Sequence, residues 1–468
     1  MLHITRSLRR LLVVRPLVGS LLVVLSTTLR GDEFQDLVDS FGTTQNVAGV
    51  FHKTTTNPDG TGINFWTQNS EGAPAVATGL SNPHMAAADA FGNVYIADKA
   101  SHAVLKVTPD GGIHTFAGTH VAGFNGDGPA PATSLQIFSP NGIFVIPDGT
   151  VYLLDPGNHR IRRVTPDGLM TTVVNDPEPR WYPSGRGLWV SPDRQLIYYT
   201  HEFAPVPPSI LADGAVVKRW TAAQGIETVC SRDVGFRNPA NLAVNPVDGK
   251  LYVTDRAEED STKAATGLFR IDGPDQRTRI SGDVAQLPPA DGQLIGESFL
   301  DQPRGLAFRA DGSYFICGHR DGNIWFVDTT GALHLYISGA GKKDSYSLFD
   351  GLHPPLTGLI YLSQPRAVTL APNGDLLVVC NDSGYVFRVA SVAPSPAVTN
   401  LRLNLTAPGG VGLSWTGVFG RGYRVERSDG LGTADWQIIG ASGGPAASLI
   451  DPAGTSGAQA FYRLLPSL

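Results

Sequence analysis

Six residues of this chain stand at one repeated place and could act together on a ligand: His84, Asn141, Arg186, Ala240, Arg304 and Arg366. Each follows a short start signal. In five copies it is a polar residue and a proline: Asn82-Pro83, Ser139-Pro140, Asn238-Pro239, Gln302-Pro303 and Gln364-Pro365. In the sixth, Ser184-Gly185, glycine takes the proline slot. A second recurring place is the end of the following strand, where Asp98, Asp155, His201, Asp255, Gly318 and Asn381 stand. If the copies close into a ring, both places share one mouth. Three guanidiniums and an imidazole then gather there, although the chain carries a net charge of −6. A guanidinium is a planar fork suited to carboxylate or phosphate. The residue types therefore point to a small anionic ligand or a protein partner's acidic tip, and the candidate rim set is His84, Asn141, Arg186, His201, Arg304 and Arg366. Asp98, Asp155 and Asp255 have a competing use: each can cap a turn or pair with a neighbouring arginine, which would make the rim purely structural.

The elements that must position these residues are short strands. After each start comes an apolar strand, then a second such as Tyr95-Ile96-Ala97-Asp98 or Tyr152-Leu153-Leu154-Asp155, then a third such as Ile161 to Thr165. Asp110-Gly111, Asp148-Gly149, Asp311-Gly312 and Asn373-Gly374 supply the positive φ that hairpins need. A unit this short cannot bury its own apolar face and must stack on copies of itself. Six starts with three or four strands each predict an all-β, six-bladed β-propeller. The last copy ends at Val389 with three strands. Gln45 to Phe51 resembles Thr115 to Thr119, the fourth strand of the first copy, so an N-terminal strand is expected to complete the last blade and remove the open edge.

At this point the chain resembles the NHL-repeat propellers. Pro140 through Gly168, with Asn158-His159-Arg160-Ile161-Arg162-Arg163, follows that family's run, and so does the connector Gly123-Phe124-Asn125-Gly126-Asp127-Gly128. The third copy departs furthest, with an insert from Phe203 to Leu211. The resemblance covers roughly residues 45–390 and implies a fold, not an activity.

Related six-bladed rings include enzymes, which sets the alternative: a metal-assisted hydrolase or lyase with one divalent metal at the channel mouth. Gluconolactonase-like hydrolases hold their metal with a Glu, Asn and Asp set led by a Glu-Gly-Pro start, which has no counterpart here. Peptidyl-hydroxyglycine lyases bind zinc through rim histidines, and only His84 and His201 reach the rim slots, fewer than an open zinc site needs. No cofactor or metal ligand set is assigned. His102 and His159 hold matching repeat slots, which implies hydrogen bonding within the blade. Gly126-Asp127-Gly128 and Asp321-Gly322-Asn323 lack the spaced carboxylates of a calcium loop.

Composition agrees with a turn-rich β protein: 468 residues, 54 Gly, 34 Pro and 17% charged. The acidic balance argues against nucleic acid, which wants a basic face. Arg6, Arg9, Arg10 and Arg15 precede an apolar run from Leu17 to Leu25, the order of a secretory signal and too short for a span. Residues 1–31 are thus expected to be a leader and the chain an exported monomer. Cys230, Cys317 and Cys380 are too few for a disulfide scaffold and are expected to be core thiols. The propeller is placed at 32–392 and a Pro-rich linker at 393–397. Residues 398–468 are expected to be a small β-sandwich, fibronectin-like in character, similar to modules on exported planctomycete and verrucomicrobial proteins, with Trp415, Tyr423, Trp436 and Tyr462 as its core.

Overall fold

The computed structural model describes residues 12–17, 20–24, 34, 37, 41–50, 62–177, 181–182, 186–203, 215–256, 266–319, 322–337, 365–381 and 383–391, then 399–406, 410–416, 422–428, 437–443, 446–452 and 460–467. Two compact units result: Phe41–Ser391, and a second made of Met1–Ser40 with Val392–Leu468.

The first unit is a six-bladed β-propeller. Blade 1 runs outward through Pro83–Ala88, Val94–Asp98, Ala103–Val107 and Ile113–Gly118, all antiparallel. Blades 2 to 5 repeat the plan, with innermost strands Ile143–Val145, Leu188–Val190, Pro239–Val244 and Pro303–Phe308. Blade 6 starts with Pro365–Leu370 and Leu376–Cys380, continues through Tyr385–Ser391, and ends on Phe41–Ala48. The N-terminal strand thus closes the ring: Val386 pairs with Ala48 and Val389 with Thr44. It begins and ends earlier than the sequence pattern places it, and Phe51 lies outside the described residues. The innermost strands pack neighbour on neighbour around the axis, blade 6 returning to blade 1.

The core lies between blades, where alternate side chains of each sheet meet the next. Ile96, Leu105 and Val151 from the first two blades and Val386 from the last are fully buried, and Leu377 is almost as deep. All three cysteines are buried and free. Cys317 lies between blades 5 and 6, where its Sγ receives the Gly305 N–H at 2.9 Å and lies 3.5 Å from the Pro365 carbonyl oxygen. Glycine follows Asn141, Arg186 and Arg304 because the next blade presses there. A Cβ on Gly305 would stand 2.4 Å from the Val368 nitrogen, and one on Gly142 2.6 Å from the Arg186 carbonyl oxygen.

The second unit holds two sheets. One orders Thr399–Thr406, Gly410–Thr416 and Ala446–Asp451. In the other, Gly422–Ser428 lies between Gln437–Gly443 and Ala460–Ser467. The hairpin Leu12–Leu17 with Ser20–Val24, inside the expected leader, pairs with Ala460–Ser467. Trp415 and Tyr462 are buried, and the Tyr462 hydroxyl donates to Asp451 at 2.8 Å. The side chains of Tyr423 and Trp436 lie outside the described residues, as do the linker and most of the Phe203 to Leu211 insert. No helix among the described residues is long and apolar enough to cross a membrane.

Candidate functional site

The starts of blades 1, 4, 5 and 6 carry a local irregularity that decides where their candidate residues go. In blade 1, Pro83 pairs with Asp98 and Met85 with Ala97, so His84 is one residue too many for the ladder. Ala240 in blade 4 and Arg366 in blade 6 are extra in the same way. In blade 5, Arg304 and Gly305 together oppose Cys317. These are β-bulges, which release a residue from the pleat and re-aim its side chain.

The re-aimed side chains converge. Burial pushes the His319 imidazole far below its ordinary pKa, and the charges of Arg304, Arg366, Arg186 and Arg256 push it further. Burial likewise lowers His84 well below the ordinary value, joined by Lys99, Arg186 and Arg366 and opposed by a hydrogen bond to the Asn82 carbonyl. Residues from blades 1, 3, 4, 5 and 6 share one field, and the ring axis is the one place common to those blades. Arg186 and Arg304 are each 1% exposed, and Arg366 is partly exposed. Asn141 occupies the matching position in blade 2 and is fully buried.

His201 goes elsewhere. Its strand continues to Phe203 rather than stopping at the rim. The ring turns toward blade 2, with Nδ1 3.4 Å from Asp176 Oδ2. That same oxygen receives Tyr199 OH and Lys218 Nζ, each at 2.8 Å. Burial alone would raise the Asp176 pKa, but His201, Lys218 and Tyr199 together lower it.

The aspartates face away from the axis. Asp98 Oδ2 accepts Ser81 N–H at 2.9 Å, Asp155 Oδ1 accepts Phe138 N–H at 2.7 Å, and Asp255 accepts Arg237 and Asn238 N–H at 2.8 and 2.9 Å. Each carboxylate therefore holds the lead-in of its own blade, two residues before the starting proline. Asp155 also lies 3.8 Å from Arg162 on the third strand. Asn381, the blade 6 equivalent, donates instead to the Pro83 carbonyl of blade 1 at 2.9 Å. His102, expected to bond within its blade, bridges two: its Nδ1 accepts Ser139 N–H at the start of blade 2, at 3.1 Å.

Arg256 and His319 are the rim residues that the start-signal register misses. Both stand one position beyond a second-strand end, after Asp255 and Gly318, and Lys99 after Asp98 holds the same slot. That recurrence is visible in the sequence. Among the described residues, no three or more His, Cys, Asp or Glu are grouped to hold a metal ion.

The sequence matches no protein-family model and no curated protein. Solved structures share its fold. A Bacteroides thetaiotaomicron protein of unknown function superposes with a TM-score of 0.52 at 14% identity, over 74% of this chain and 75% of that one. An auxiliary nutrient binding protein from the same organism gives 0.50 at 10% identity, over 74% and 75%. One from Bacteroides ovatus gives 0.50 at 12%, over 75% and 77%. At such identities the likeness shows the fold alone.

Proposed function

We propose that this chain is an exported, non-enzymatic propeller of the NHL-like kind, carrying a fibronectin-like module, that binds an anionic ligand or a partner's acidic group at the mouth bearing Arg186, Arg304 and Arg366. The observation that carries this reading is the recurrence of arginine at the matching start position of three blades, Arg186, Arg304 and Arg366, at the innermost strands that surround the axis. Guanidiniums stay protonated even when buried, so each of these residues brings a fixed positive charge to its place in the ring. A narrow, low-dielectric opening concentrates such a field. The description of two proteins of like fold as nutrient binding proteins supports a binding role.

Calorimetry of the full chain with phosphate, citrate and an oligoglutamate peptide tests the reading. Salt-sensitive binding of at least one is expected, and Arg304→Ala with Arg366→Ala should remove it while the thermal transition of the ring persists. Each lost charge-assisted bond is worth about 1.5–3 kcal/mol. Binding that is unchanged in the double variant, or absent for all three probes, removes the proposal.

A further inference from the structure

Where blade 6 meets blade 1, at the end of the ring opposite the blade starts, lies a cavity of about 230 Å³. Roughly 10–15 Å³ is enough to admit a single water. The first hairpin turns of the two blades form its walls. Ala371 and Leu377 of blade 6 and Val94 of blade 1 give it apolar surface. Phe91 also lines it and is 69% exposed, so its ring stands at the open side.

Two carboxylates share these walls, Asp89 at 3% exposed and Asp375 at 6%. Asp375 has a cation close by. Arg388 Nη1 lies 3.7 Å from its Oδ2, while Arg388 Nε and Nη2 donate to Gln45 of the closing strand at 3.1 and 2.9 Å. The hydrogen bonds to Asp89 come from neutral groups. Its Oδ1 accepts the N–H groups of Phe91 and Asn93, each at 2.9 Å, and its Oδ2 accepts Asn93 Nδ2 and Tyr95 OH at 2.7 and 3.0 Å. Neutral dipoles hold a carboxylate in place without cancelling its charge. The walls therefore carry two negative charges against one positive, in surroundings where a charge acts more strongly than in water. Turn building accounts for the two aspartates by themselves, but not for the apolar space beside them.

We propose that this cavity binds a small organic cation with a short apolar body, such as a primary alkylamine. The ammonium group answers Asp89 and Asp375, the alkyl chain covers Ala371, Leu377 and Val94, and Phe91 offers a ring face that attracts a cation. A bare ammonium ion makes no use of the apolar walls, and a neutral alcohol leaves the charge unanswered. An anion meets two carboxylates. A ligand that touches both blades at their seam also favours the closed ring by mass action.

Calorimetry of the full chain with butylammonium, ammonium, butanol and butyrate, at one ionic strength, separates these demands. Butylammonium should bind about tenfold tighter than ammonium and than butanol, butyrate should not bind, and butylammonium should raise the melting temperature of the ring. Asp89→Asn keeps an oxygen for the N–H groups of Phe91 and Asn93 and should erase the preference for butylammonium over butanol. Asp375→Asn should reduce the same preference, and reads it independently if the first variant does not fold. Phe91→Ala should weaken butylammonium about threefold. Ala371→Leu, which fills the space, should remove butylammonium and butanol binding alike. Asp167→Asn, at an exposed turn of blade 2, should change nothing. Equal binding of butylammonium and butanol overturns the inference, as does a preference that survives both cavity aspartate variants or falls as much with Asp167→Asn. Failure of butylammonium to bind the unaltered chain removes it outright.

Discussion

Two sets of side chains arise at the same rim of the ring, in different blades, and meet opposite fates. Asp98, Asp155 and Asp255 end regular second strands and spend their oxygens on backbone N–H groups of the lead-in segments. Arg304 and Arg366 lie in bulges on the innermost strands of blades 5 and 6, whose second strands end in Gly318 and Cys380 rather than in aspartate. Strand register fixes the height of a residue along the channel. In blades 5 and 6 the bulge frees the arginine from the ladder, whereas the aspartates stay in register and stitch the lead-in.

The strongest way to break this contrast is to fill the space that lets the bulge exist. Gly305→Val would place a Cβ against the Val368 backbone of blade 6, 2.4 Å from its nitrogen. Neither side is a flexible side-chain tip that can move away. We expect a loss of about 3 kcal/mol or more in ring stability, read by denaturant unfolding. A smaller loss would show that the inner strands can shift, and that the inward aim of Arg304 is less constrained than the contrast requires.

A second test acts on the other set. Asp255→Ala leaves the N–H groups of Arg237 and Asn238 without their acceptor in a buried site, which should cost about 2 kcal/mol. Asp255→Asn keeps one acceptor oxygen and should recover part of that. Anion affinity at the mouth should stay within about twofold of wild type, since the carboxylate serves the lead-in and not the axis. A large change in affinity with little change in stability would reverse the assignment of the two sets.

Much of the ring was legible in the sequence because its determinants are local. Pro-led starts, Asp-Gly turns and apolar alternation repeat, and repetition forces stacking. The N-terminal closure was legible for the same reason: one copy was short of a strand, and Gln45 onward resembles the missing one. The rim set was legible in position along the axis for His84, Asn141, Arg186, Arg304 and Arg366. The direction of the aspartates was not, because it depends on which lead-in N–H groups fold back within reach of them. His201 misled because the blade 3 strand runs on to Phe203 and the ring answers Asp176, a residue of the preceding blade. His102 misled in a similar way, since its partner Ser139 belongs to the next blade. Contacts between copies leave no mark on the pattern within a copy.

The finest test separates members of the stitching set from one another. Asp155 accepts from Phe138 N–H and from Asn158, and lies near Arg162; burial still pushes its pKa up to about 6. Asp98 has no such cation, and its Oδ1 is buried without a hydrogen-bond partner. Burial pushes it from an ordinary value of 3.8 up to about 7, against the lowering by Ser81 and Ser101. The folded ring therefore keeps the proton on Asp98 through a range in which the unfolded chain has released it. Proton binding then favours the folded state, so this contribution is complete below 3.8 and is lost as the pH rises through about 7. Asp98→Asn removes the titration while its side-chain oxygen can still accept Ser81 N–H. The difference in melting temperature between variant and wild type should be small at pH 4 and should favour the variant at pH 8, with the change falling between those limits. The same substitution at Asp155 should give a weaker gain, because its carboxylate has partners that an amide does not replace. Equal profiles for the two variants would mean that Asp98 is as well served as Asp155, and that the stitching set is uniform around the ring.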